Sequence, residues 1–334
     1  MGALVAGLIN IFKFHKLKIA ATVFFTALFG ILLFPLSDLG GVLPATIHAQ
    51  TGGVYVQFEQ MGLNLFPFGV SLDQVQVELP GRAPIEAGHI DASPWILGAL
   101  TAKTGGSVDA QDLFGGIVVA DYREGDKAKG GNRIANIAVD AQGVQLPQLA
   151  KFLRDSQMLG LSMLGTVNLS TQAQIDALFG QQPAADIDAT FTGFSIPNQT
   201  MEISQGPDMP PMKQPIPEIK FGNAKLAAKV GGGNINISEF SFGSAKDSVA
   251  GKVRGQIGFT MVKVPNGARP QMGTVDLNID ITMKQSFLDS DSTIKGIVDG
   301  FLQRYGSPTQ GGMRYTFNMK QSPGMVLPQF SAIQ

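Results

Sequence analysis

The 334-residue chain contains no cysteine. That absence removes structural disulfides, thiolate zinc sites, iron–sulfur clusters, a cysteine nucleophile and a lipidated lipoprotein-type cysteine. Histidine is nearly as scarce, at three residues, and charged side chains make up 15% of the chain, well under the usual quarter. Tryptophan occurs once and tyrosine four times, while glycine reaches 41 and proline 19. This balance favours many turns and short strands over a helical bundle. Basic and acidic side chains number 25 and 26, for a formal charge of -1. Phosphate-backbone binding needs a concentrated basic face, so nucleic acid is excluded as the expected partner. The segment REGDKAKGGNR (residues 123–133) is locally basic, but its glycines, Glu124 and Asp126 read as a solvated hairpin loop.

A further absence is local: no lysine or arginine occurs between Lys18 and Arg82. The stretch opens with the apolar run IAATVFFTALFGILLFPL, residues 19–36, preceded by Lys13, Lys16 and Lys18. At about 1.5 Å per residue such a run crosses most of a bilayer's hydrocarbon core as a helix. Positive charge on one flank alone orients it with the N-terminus in the cytoplasm. Residues 1–18 are then a cytoplasmic N-terminus, 19–36 a transmembrane helix and 37–53 a connector, leaving 54–334 as a periplasmic domain on a single-pass inner-membrane anchor. The alternative is a cleaved secretory signal, which gives the same translocation. Against it stand the length of the run and a poor small-x-small site at Ile47-His48-Ala49.

Beyond the connector, period-2 alternation dominates. Val54 to Glu59, Val70 to Leu79 and Ile85 to Ala92 alternate apolar with polar residues. Ser93 as N-cap and Pro94 at the first helical position predict a short helix over SPWILGAL, residues 93–100. Residues 107–121 and 132–141 read as a long hairpin, residues 147–159 as a helix with Leu149, Phe152 and Leu153 on one face, and 165–170 and 185–194 as strands. Residues 195–218 hold six prolines and three methionines, predicting a long extended connector, the place for a sub-domain break. Within it, Pro207, Met209, Pro210, Pro211 and Met212 form a candidate partner-docking loop, using Pro and Met as adaptable contacts. Strands resume over 219–230, 234–242, 249–261 and 274–284, with Gly231-Gly232-Gly233 and Pro265-Asn266-Gly267 as turns. A helix is predicted over 286–305, starting at Asp289 to Thr293, and a last strand over 313–320. The fold class is mainly β: a transmembrane helix followed by an elongated, curved antiparallel sheet with a few short amphipathic helices.

No catalytic, cofactor-binding or metal-ligating residues are assigned. His15 and His48 fall outside the folded body, and His89 in a predicted strand reads as hydrogen-bonded or solvent-facing. With one usable histidine and no cysteine, neither a Ser-His-Asp triad nor a zinc site is expected. The pairs Asp186/Asp188 and Asp276/Asp280 alternate as a solvated strand face does, and Asp289/Asp291 suit a helix start. Gly115-Gly116 and the triplet at Gly231 lack the lysine and hydroxyl that a phosphate loop requires, and mark bulges or turns instead.

The segment LNLFPFGVSLDQVQVELPGRAPIEAGHIDASP, residues 63–94, resembles the periplasmic start of type II secretion system protein N in its deltaproteobacterial and spirochaete form. The similar elements are the preceding membrane helix, the leucine-phenylalanine-proline phrase before a strand, a PI-x-A strand and a serine-proline helix start. GGGNINISEFSFGSAKDSVAGKVRGQIGF (231–259) is similar to that family's late pair of strands, and FNMKQSPGMVLP (317–328) to its closing strand and proline. The resemblance implies a non-enzymatic inner-membrane component of the type II secretion machinery, partnered by other secretion subunits. The same texture resembles AsmA-like envelope proteins, implying instead an apolar β-groove that binds or transfers lipid. Strands apolar on both faces would favour lipid; residues 117–120 and 226–228 run that way, whereas 54–59 and 274–281 alternate cleanly.

Overall fold

The computed structural model describes residues 41, 44–49, 53–65, 68–80, 83–99, 101–127, 133–155, 161–176, 180–203, 212–264, 267–290, 292–323 and 328–333. The expected membrane helix at 19–36 and its flanking Lys13, Lys16 and Lys18 lie outside these residues, as do Pro207, Met209, Pro210 and Pro211. Among the described residues no helix is long and apolar enough to cross a membrane. Residues 44–49 of the connector are helical.

The architecture is mainly β, with one large antiparallel sheet of sixteen strands. Its first long strands are β3 (Phe68–Glu78), β4 (Ile85–Pro94), β5 (Gly105–Leu113), β6 (Gly116–Lys127), β7 (Arg133–Gln145), β8 (Leu164–Asp176) and β9 (Ala184–Ile196). The second half adds β12 (Ile219–Gly231), β13 (Asn234–Phe242), β14 (Val249–Val264), β15 (Gly267–Lys284) and β17 (Gly312–Gln321). Each pairs with the next in this order. At one margin β1 (Tyr55–Gln57) and β2 (Gln60–Leu65) share the outer side of β3; at the other, β16 (Gly306–Thr309) and β18 (Gln329–Ser331) share that of β17. The remaining pair, β10 (Gln199–Ile203) and β11 (Met212–Ile216), forms its own hairpin.

Several local expectations are corrected. Ser93 and Pro94 do not cap a helix: they end β4, paired with Ser107 and Gly106, and only Ile96–Ala99 is helical. The backbone ladder to β5 outweighs the capping signal. Residues 107–121 are two strands, folded at a turn where Phe114 and Gly115 take positive φ of 51° and 73°. The proline-rich segment is no bare connector: it carries β10 and β11, Met212 opens β11, and β9 pairs directly with β12 across the excursion. The helix at 286–305 is broken into Gln285–Leu288, Ser292–Ile297, a π-turn at Val298–Leu302 and a 3-10 turn at Gln303–Tyr305. Asp289 is the C-cap of the first piece rather than a helix start.

The helix Leu146–Asp155 is present, entered through Pro147 as its sequence suggests. The turn after β12 is a two-residue hairpin in which Gly232 and Gly233 have φ of 59° and 81°. Positive φ at both central positions is the twist-matching hairpin geometry, which explains the glycines.

Buried residues gather in three clusters. Val56, Leu72 and Val75 pack with Ile47 near β1. Leu146 and Leu149 of the helix cover Ala141, Val144, Val167 and Ala189 on β7 to β9. Phe287, Leu288, Ile294 and Val298 cover Phe242, Ile279, Tyr315 and Phe317 toward the other margin.

Candidate functional site

Alternation along each strand, held in register from strand to strand, divides the sheet into an apolar and a polar face. Following direct cross-strand partners, one apolar row runs Met61, Leu72, Ile90, Ala110, Val118, Ala141, Leu169, Ala189, Leu226, Phe240, Val253, Ile279 and Phe317. It crosses thirteen strands without a polar residue. A parallel row from Leu63 and Val70 through Val108, Val139, Ile187 and Ile237 to Leu277, Met319 and Phe330 includes one polar residue, Thr171.

Bulges preserve this sorting. Ile237 and Phe240 are three residues apart and would face opposite sides of a regular strand. The register shift between β12 and β13 at Ala227/Ala228 absorbs the extra residue and returns both to the apolar face. Strand β7 does likewise between Ala141 and Val144, where Gly143 takes φ 66°.

The helical covers protect only parts of this face. Val108 and Tyr122 are 39% and 41% exposed. Val139, Ile187, Ile237 and Ile257 are half-buried and belong to none of the three buried clusters. The run at 117–120 splits by side: Val118 lies in the apolar row, while Ile117, 47% exposed, stands opposite Gln142 on the polar face. A strand apolar on both sides is therefore unnecessary for an open apolar surface. Where no second layer lies above it, an ordinary alternating strand supplies one.

The other face carries the charge. A row from Ser107 passes through Asp121, Ala138, Gln172, Asp186, Lys229, Asn236, Gln256 and Asp276 to Lys320. Part of it lines an open depression of about 570 Å³ together with Arg123, Asn136 and Gln174. Its charges are matched: Lys229 Nζ lies 3.1 Å from Asp186 Oδ1, and Lys320 Nζ 3.2 Å from Asp276 Oδ2. Arg314 binds Asp280 through Nε at 2.8 Å and Nη2 at 2.6 Å, which holds the Asp280 carboxyl below the usual carboxylate range. The amide of Asn318, with help from Lys320, lowers that of Asp276. These carboxylates are engaged in cross-strand pairs, as a solvated strand face is.

His89 is hydrogen-bonded on both sides. Its Nδ1 lies 2.6 Å from Asp73 Oδ1 and its Nε2 3.2 Å from Asp91 Oδ2. The bond to Asp73 raises its pKa above the ordinary 6.5, with Asp91 adding and burial opposing. Among the described residues no group of histidine and carboxylate side chains can hold a metal ion. The two ring nitrogens of His89 both face acids, and among the described residues no nucleophile is paired with it.

No family model, curated protein or solved structure matches the chain. Function rests on the site itself. What the sequence missed was the continuity of the apolar rows: alternation was visible strand by strand, whereas register across strands depends on bulges that only glycines such as Gly143 hint at.

Proposed function

We propose that this chain is a non-enzymatic, inner-membrane-anchored periplasmic component of the type II protein secretion machinery, acting through contacts of an elongated, curved β-sheet. The observation that supports a contact function is the division of the sheet into a charged polar face and an incompletely covered apolar face. The segments that resemble type II secretion protein N occupy structurally prominent places: residues 63–94 build much of β2 to β4, 231–259 the β13–β14 hairpin, and 317–328 include the end of β17. Lys13, Lys16 and Lys18 would orient the anchor and place the sheet on the periplasmic side. The test is purification of the detergent-solubilised protein from its native host. Secretion subunits should accompany it in defined ratio, and stoichiometric phospholipid with no protein partner would sink this reading.

The second reading, an AsmA-like lipid-binding or lipid-transfer protein, is favoured by one specific observation: two apolar rows spanning thirteen and more strands, on a face that is open at Val108 and Tyr122. Acyl chains need a continuous apolar path, and burying each methylene contributes about 0.8 kcal/mol. Replacing Val139 and Ile187 by asparagine should then abolish co-purifying phospholipid while leaving any protein partner bound. Retention of the lipid would refute this reading.

A further inference from the structure

Strands β1 to β5 contain no lysine or arginine, yet they carry Asp73, Glu78, Glu86, Asp91, Asp109 and Asp112. The one cation-capable side chain among them is His89, at the centre of β4. It faces Asp73 on β3, directly opposite, and Asp91 two residues along its own strand. From β5 it faces neutral Gln111, with Asp109 directly opposite Asp91. From β2, Gln60 stands opposite Asp73, and the Asn64 side-chain amide donates to Asp91 Oδ1 at 2.6 Å. Glu59, just before β2, donates its backbone N–H to the Asp73 carbonyl.

The tautomers of imidazole decide what this arrangement requires. A neutral ring donates from one nitrogen and presents a lone pair at the other, whereas the imidazolium donates from both. With a carboxylate oxygen at each nitrogen, only the protonated ring satisfies both contacts. A neutral ring leaves one carboxylate facing a lone pair, with Asp91 and Asp109 as like charges directly opposite on neighbouring strands.

We propose that protonated His89 is a pH-operated clasp for this margin of the sheet: its contact with Asp73 fastens β3, and with it β1 and β2, to β4, and loss of the proton releases them. The consequence reaches the apolar face, because β2 and β3 supply Met61, Leu63, Val70 and Leu72, the first members of both apolar rows. Releasing these strands removes that end of the face. The clasp does not depend on whether protein or lipid occupies it.

The sign follows from the direction of the shift. A histidine held more basic in the fold stabilises the closed state fully below the open-state pKa, and this contribution is lost as pH rises through the folded value. The experiment uses the full chain in detergent micelles from about pH 6 to about pH 9. Hydrogen exchange of the β3–β4 ladder, Val70–Val77 and Ile85–Ala92, is followed with intrinsic chemical exchange divided out, alongside NMR of selectively ¹⁵N-labelled histidine. His89→Gln identifies the His89 signals. The clasp requires His89 to titrate above 6.5. Opening of β3 from β4 should rise over the same range, by about tenfold per unit by which the folded pKa exceeds the open one. His89→Lys, a cation throughout this range, should give β3–β4 protection that is flat with pH. Any of three results overturns the proposal: wild-type β3–β4 protection indifferent to pH, the same pH response in His89→Lys, or His89 titrating at or below its ordinary value.

Discussion

Whether the apolar face is core or open surface can be decided by comparing a substitution in its helical cover with one on the face itself. Leu146, 2% exposed, lies beneath its helix against Ala141, Val144, Val167 and Ala189. Leu146→Ala deletes three carbons, worth about 2.4 kcal/mol at about 0.8 kcal/mol per buried methylene. The alanines beside it are too short to fill the space, so a cavity term adds to this and the expected loss is about 3 kcal/mol, within the range of about 2–5 known for such changes. Val108 lies in an apolar row of the sheet but is 39% exposed. Val108→Thr exchanges a methyl for a hydroxyl that reaches water, and should cost less than about 1 kcal/mol. Urea unfolding in micelles reports both through Trp95, the chain's sole tryptophan, which directly follows β4 with the Arg123 guanidinium 5.9 Å from its ring centre. Equal losses of about 3 kcal/mol would refute the reasoning, because they would require a buried environment at Val108. A negligible loss at Leu146 would refute the packing assigned to the helix.

Other substitutions test separate parts of the sheet. Gly243 has φ of 70° and an added Cβ would meet the Val249 carbonyl oxygen, so Gly243→Ala should destabilise by about 2 kcal/mol or more; Gly231→Ala, with open space around it, should stay within about 0.5 kcal/mol, both read by denaturant midpoint. Asp280→Asn should lose less than about 1 kcal/mol at neutral pH, because the Arg314 pair is largely exposed. Since Asp280 has a lowered folded pKa, its contribution is present above the unfolded carboxylate value and lost as pH falls through the folded one; wild type and variant should converge in acid. Tyr305 Oη donates to the Phe330 carbonyl at 2.7 Å, so Tyr305→Phe should cost about 1 kcal/mol and speed hydrogen exchange in β18.

The class of fold was legible because period-2 alternation is a local property of each strand. Residues 185–194 and 274–284 show it plainly, and both became strands of the one sheet. Where competing local signals met, tertiary pairing decided. The Ser93-Pro94 start is a sound helix signal on its own, but Ser93 found a partner in Ser107 and stayed extended. The proline-rich stretch hid β10 and β11 because Pro215 sits inside a strand, a place the residue takes only in short or marginal ladders. The clasp at His89 was half legible: a hydrogen-bonded or solvent-facing strand histidine was expected, but Asp73 lies sixteen residues away and meets it only through the β3–β4 register.

The order of the strands has a consequence for how the protein is made. From β3 to β9 every strand pairs with the one completed just before it, and after the β10–β11 excursion the same holds from β12 to β15. Each addition needs only the chain already present plus one hairpin, so loop-closure entropy stays low at every step. A chain delivered N-terminus first can therefore lay down its sheet like a hem sewn from one end. The growing margin is the aggregation-prone edge throughout, until β16 and β18 close it with short strands that offer little to a neighbour.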